Sequence, residues 1–208
     1  MSNNKLYLYP TWLRIWHGIN ALGIIFLGIT GIGMQFTDIE SPLIRFNVAV
    51  SIHNFIGVAV VVSYFFFFVV SIITGNIKHY KIKLKGLLDR LVKQGKYYIS
   101  GYLKGEPKPF RITIEEKFNP LQQISYFGTM YILVPLVIIT GVALLYPEMI
   151  IEKLYSLSGI KLTTFFHSIA GFFILIFLII HLYVITIGKH PLKNFKSIVT
   201  GYHETEDH

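Results

Sequence analysis

Four long apolar blocks, separated by polar and basic stretches, dominate the pattern along the chain. They run over about Thr11–Phe36, Phe46–Gly75, Gln122–Tyr146 and Leu162–Gly188. A helix rises 1.5 Å per residue, so about 20 apolar residues cross the hydrocarbon core of a bilayer. Each block is long enough. The pattern therefore predicts an all-α fold: an integral membrane four-helix bundle, with residues 1–208 as a single domain and 76–118 as its one long loop. Pro135, in the middle of the third span, is expected to kink it.

Composition sharpens this picture. The chain is 53% hydrophobic and only 14% charged, with a mean hydropathy of +0.56, which excludes an ordinary soluble domain. The net charge of +8 is not a nucleic-acid signature, because the basic residues sit between the apolar blocks. Eleven Lys and Arg lie in the loop from Asn76 to Phe118. Lys189, Lys193 and Lys196 follow the last span, and Lys5 and Arg14 stand at the first. The two opposite loops hold only Arg45, Lys153 and Lys161. The positive-inside rule then puts both termini and the long loop in the cytoplasm. The first ten residues lack the basic start and small-residue cleavage site of a signal peptide, so the N-terminus is expected to stay. With no cysteine, disulfides, thiolate–metal sites and c-type haem attachment are excluded.

The chemistry lies in the histidines. His79, His190, His203 and His208 fall at or beyond helix ends, where water is expected. His17, His53, His167 and His181 fall inside the apolar spans. An imidazole within a span is costly without a partner and is a functional candidate by default; the alternative is a neutral histidine hydrogen-bonded between helices. Depth favours function. His17 and His181 both lie roughly 10 Å inside the boundary on the side of the termini, and His53 and His167 lie near the other boundary. The fourteen residues from His167 to His181 are close to four turns, an offset of roughly 40° around the helix and about 21 Å along it. One face of the fourth span thus presents one ligand to each of two layers. Opposed imidazoles in an apolar slot suit bis-histidine haem b. Tetrahedral zinc needs three or four ligands together, and no Asp or Glu lies inside any span, which weakens a carboxylate transporter or di-iron site.

The chain also carries a weak repeat of a two-helix unit. Ile29–Gly31 and Ile139–Gly141 both read Ile-Thr-Gly, and HNFIG (His53–Gly57) parallels HSIAG (His167–Gly171). Phe127 stands where the first copy has His17, and Phe67 where the second has His181. Gly57 and Gly171, one turn after their histidines, would make room for a porphyrin face.

On RIWHGIN (Arg14–Asn20), SIHNFIG (Ser51–Gly57), FNPLQQISYF (Phe118–Phe127) and the His167–His181 separation, the chain resembles the bacterial cytochrome b561-like di-haem membrane anchors. These include the cytochrome b subunits of thiosulfate reductases, respiratory formate dehydrogenases and nickel–iron hydrogenases. The resemblance implies two haem b groups in the bacterial cytoplasmic membrane, an inner one on His17 and His181 and an outer one on His53 and His167. It also implies a quinone site, with menaquinone expected, beside the inner haem near Asn119 and Gln122. For Asn119 the alternative is a helix cap ahead of Pro120. Arg14 would pair with a haem propionate or snorkel to the interface. His79 would serve the quinone or a propionate, or be a solvated loop residue. The expected partner is an extracytoplasmic iron–sulfur or multihaem cytochrome c subunit, and through it a catalytic subunit, as in thiosulfate reductase. A quinone-reducing anchor of a dehydrogenase or hydrogenase, a stand-alone b561 oxidoreductase and a haem-free transporter or structural membrane protein are the alternatives.

Overall fold

The computed structural model describes residues 5–36, 44–187 and 191–204; His190 and His208 lie outside them. The protein is 73% helical. Helices α1 (Thr11–Phe36), α2 (Phe46–Ile73), α3 (Leu87–Lys96), α4 (Pro120–Gly128), α5 (Val134–Leu145), α6 (Gly159–Ile185) and α7 (Lys193–Thr200) follow in chain order. α1, α2, the continuous run from α4 to α5, and α6 are the four membrane-length helices. Most of their large apolar side chains point outward, as they must where lipid is the solvent. Hydroxyl groups within them bond back to the carbonyl four residues earlier: Ser51 to Asn47, Thr74 to Val70, Thr163 to Gly159. That satisfies polar atoms which lipid cannot.

The third span starts two residues before the expected Gln122, and the reason is local. Asn119 accepts from the Gln122 amide at 3.0 Å, the Gln122 side chain accepts from the Asn119 amide at 3.1 Å, and Pro120 takes the first helical position. This capping box satisfies two orphan donors at once. The turn before Pro135, the residue at which a kink was expected, is a π turn over Thr129–Leu133. Pro135 has no N–H to offer the Tyr131 carbonyl and its ring crowds that oxygen, so the preceding turn widens.

Two strand pairs qualify the all-α expectation. β1 (Lys5–Tyr7) pairs antiparallel with β4 (Tyr202–Glu204), which ties the two ends of the chain together. β2 (Lys153–Leu154) and β3 (Leu157–Ser158) form a hairpin across a two-residue turn, with Tyr155 at φ 55°. Such short pairs carry too few residues for alternation to stand out in a sequence. The hairpin closes onto Gly159, where a Cβ would collide with the Ile151 carbonyl.

The chain forms two compact units. One comprises 1–15, 70–129 and 177–208, and so gathers the chain ends and the long loop. The other comprises 16–69 and 130–176. In the latter, Ile24 of α1, Tyr64 of α2, Val134 of α5 and Ile174 of α6 meet in one core. The Tyr64 hydroxyl donates to the Met130 carbonyl at 3.0 Å, inside the π turn. Four helices thus pack around a single centre within that unit.

Candidate functional site

His53 on α2 and His167 on α6 face each other in the second unit, with ring centroids 6.2 Å apart and ring planes inclined at 69°. Each is held from behind by the Ile-Thr-Gly repeat. Thr30 Oγ1 lies 2.9 Å from His53 Nδ1, and Thr140 Oγ1 lies 3.0 Å from His167 Nδ1. Each threonine has one proton, and its own helix takes it: Thr30 donates to the Phe26 carbonyl at 2.8 Å and Thr140 to the Leu136 carbonyl at 2.6 Å. The hydroxyl oxygen can then only accept, so Nδ1 carries the hydrogen and Nε2 keeps its lone pair. The backbones of Leu27 and Val137 are further hydrogen-bond partners of His53 and His167. The following glycines back the rings. A Cβ on Gly31 would lie 3.6 Å from His53 Cε1, and one on Gly141 3.1 Å from His167 Cε1.

His17 and His181 lie in different units, His17 half-buried on α1 and His181 half-buried near the end of α6. Beside His17, Trp16 stacks on Phe67 at 4.1 Å and donates from Nε1 to the Ser63 carbonyl. Phe67, fully buried, thus fills the repeat position where a ligand is missing. His181 stacks on Phe177 at 5.6 Å, with Tyr126 edge-on at 6.0 Å.

Asn119 and Gln122 are occupied as caps, and Asn119 also donates from its side-chain Nδ2 to the Tyr98 hydroxyl at 2.7 Å. Arg14 gives Nη1 to the Val199 carbonyl at 2.6 Å and Nη2 to Thr11, while its Nε is buried without a protein partner. His79 departs from the solvated loop residue expected of it. It is buried in a 3₁₀ turn over Asn76–Tyr80, with Nδ1 3.3 Å from the Glu115 carbonyl. Burial, then Lys117 and Lys78, lower its pKa to about 4. His203 is likewise buried, 3.3 Å from Ser197 Oγ, where open water was expected.

The family model of the prokaryotic cytochrome b561 matches residues 8–201. The chain belongs to the prokaryotic cytochrome b561 family. The cytochrome is also similar to the protein named "Putative cytochrome YdhU" of Escherichia coli (strain K12). The two are 37% identical over 199 residues, which cover 96% of this chain and 75% of the relative. Membership and four membrane-length helices make the cytochrome a multi-pass protein of the bacterial inner membrane that binds haem b and transfers electrons.

The His53–His167 pair fits such a group. An imidazole–metal bond is about 2 Å and a ring centre lies about 1 Å behind its nitrogen, so two collinear imidazoles on one metal have centroids about 6 Å apart. The observed 6.2 Å leaves space for one iron. The glycines one turn after the two histidines stand in open surroundings: a Cβ on Gly171 would meet nothing within 4 Å, and one on Gly57 only Leu27 at 4.0 Å. Among the described residues no group of three or more potential metal ligands gathers. Thr30 and Thr140 are the residues a sequence reading of the ligands overlooks. Their only signal was the repeat itself.

Proposed function

We propose that the cytochrome holds two haem b groups and carries electrons across the membrane. One end of the path is a quinone pool, menaquinone as expected above, on the cytoplasmic side. The other is an extracytoplasmic redox subunit of a respiratory complex of the thiosulfate-reductase type. The observation that carries this reading is the His53–His167 pair, spaced for one iron with both Nδ1 atoms already committed. Bound haem b supplies reversible one-electron chemistry at its iron.

In this reading His53 and His167 take the axial positions of the outer group, and His17 and His181 those of the inner one. The fourteen-residue separation on α6 supports two groups on one helix face. Thr30 and Thr140 hold the outer ligands in register and in one tautomer. Arg14 Nε, buried and unpaired, suits a propionate carboxylate of the inner group. Asn119 fixes the start of the third span through its cap. The basic loop and termini support the cytoplasmic orientation.

The test is haem content by pyridine haemochrome on the purified full chain. Two haems per chain are expected. Either His53→Ala or His167→Ala should leave one, and the double variant should lose no more than either single one. Either His17→Ala or His181→Ala should remove the other. One haem in the parent chain, or different haems lost from His53→Ala and His167→Ala, would overturn the pairing. Extraction with a bound redox subunit supports the anchor role, whereas quinone turnover by the isolated chain supports a stand-alone oxidoreductase.

A further inference from the structure

The long loop between α2 and α4 carries an amphipathic element that the electron path does not use. α3 continues through a π turn over Tyr97–Gly101, and its residues sort into three faces. Leu87, Leu91, Gln94, Tyr98 and Gly101 turn toward the protein, with Gln94 and Gly101 buried. Lys93 and Lys96 on the helix, with Lys85 just before it and Lys104 just after the π turn, are exposed. A stripe of Leu88, Val92, Ile99 and Leu103 is 77%, 54%, 79% and 81% exposed. Leu88 and Val92, four residues apart on α3, share one side of the helix, and Ile99 in the π turn and Leu103 just after it are left exposed as well.

α7, in the same unit, repeats the design on a smaller scale. Leu192, Phe195 and Val199 are exposed at helical spacing, Lys196 stands beside them, and Ser197 turns inward.

A row of water-exposed aliphatic side chains in a folded loop is unfavourable by the transfer energy of each one. The flanking charge identifies the cover. From Lys85 to Glu106 four exposed lysines stand against two exposed acids, Asp89 and Glu106, a net positive stretch that complements an anionic surface. The loop is also tethered at both ends to membrane-spanning helices, α2 and α4. An apolar stripe bordered by lysines is the signature of a helix lying in the headgroup layer, with its apolar face about 5–10 Å deep. We infer that α3 and its π-turn extension, together with α7, lie in the plane of the cytoplasmic leaflet and bind anionic phospholipid. The stripe sits in the acyl boundary and the lysines contact headgroup phosphates.

The chain has no cysteine, so single-site labelling is direct. Leu88→Cys, Ile99→Cys and Leu103→Cys, with Lys85→Cys and Lys96→Cys as flank positions, are made in the full haem-loaded chain. Each is spin-labelled and placed in nanodiscs of phosphatidylcholine with or without phosphatidylglycerol. Retention of the haem absorbance certifies folding. In the anionic discs, stripe labels should collide with oxygen several-fold more than flank labels relative to a water-soluble nickel chelate. Without phosphatidylglycerol that contrast should shrink. Stripe labels open to the nickel reagent in both discs would overturn the inference. Stripe labels shielded equally in lipid-free detergent, with doubled mass by light scattering, would assign the stripe to a second copy and overturn it too.

Discussion

Replacing Thr140 by Val is expected to raise the midpoint potential of one haem by about 20–60 mV and leave the other unmoved. Val keeps the β-branched shape and removes only the hydroxyl that lies 3.0 Å from His167 Nδ1. That hydroxyl donates to the Leu136 carbonyl, so it serves the ring as an acceptor. An acceptor on Nδ1 makes the imidazole a better electron donor, which favours the oxidised metal over the reduced one. A net hydrogen bond is worth about 0.5–1.5 kcal/mol, and 59 mV corresponds to about 1.4 kcal/mol for one electron; the quotient is the range given. The Val137 backbone remains as a partner for the ring, which favours the lower half. Thr30→Val should move the same component in the same direction, because His53 shares the metal in this reading. The assay is a spectroelectrochemical titration resolved into two components. A shift in neither component, a downward shift, or shifts of different components in the two variants would refute the reasoning.

The glycines behind the rings should respond unequally. Gly31→Ala meets His53 at an ordinary 3.6 Å and should be tolerated, while Gly141→Ala meets a ring pinned by Thr140 at 3.1 Å and should alter the low-spin haem EPR signal. His79 should make the long loop acid-sensitive. Its folded pKa, about 4 against an ordinary 6.5, means the unfolded loop binds the proton more readily. Stability is then full above pH 6.5 and lost as pH falls toward 4, by up to about 3 kcal/mol; amide exchange of residues 76–118 should accelerate over that window, and His79→Gln should flatten it. Asn119→Ala should lower stability by about 1 kcal/mol through loss of the cap, read as faster exchange at the start of α4 with haem content unchanged.

Much of this was legible beforehand because lipid imposes simple rules. The start and end of α1 and the start of α2 coincide with the apolar blocks, since a spanning segment must satisfy its own backbone. The depth argument brought out His53 and His167 as partners for the same reason: helix rise is fixed, so position along a span is position in the membrane. The capping role of Asn119 was legible from the Asn-Pro start. The buried state of His79 and His203 was not. Both lie in polar loop sequence, and their burial depends on Glu115 and Ser197, which no local pattern ties to them.

The sequence by itself determined the four spans, the apolar setting of the four span histidines and the existence of an internal repeat, because each follows from periodicity and solvent. Only the tertiary structure decided what the repeat is for. Thr30 meets His53 across 23 residues of chain and Thr140 meets His167 across 27, and such contacts arise from how helices pack, which no spacing along one helix encodes. The three-faced character of α3 has the same origin. Its apolar residues are visible in the sequence, but which of them the protein covers and which it leaves outward was set by the partners against which the helix folds.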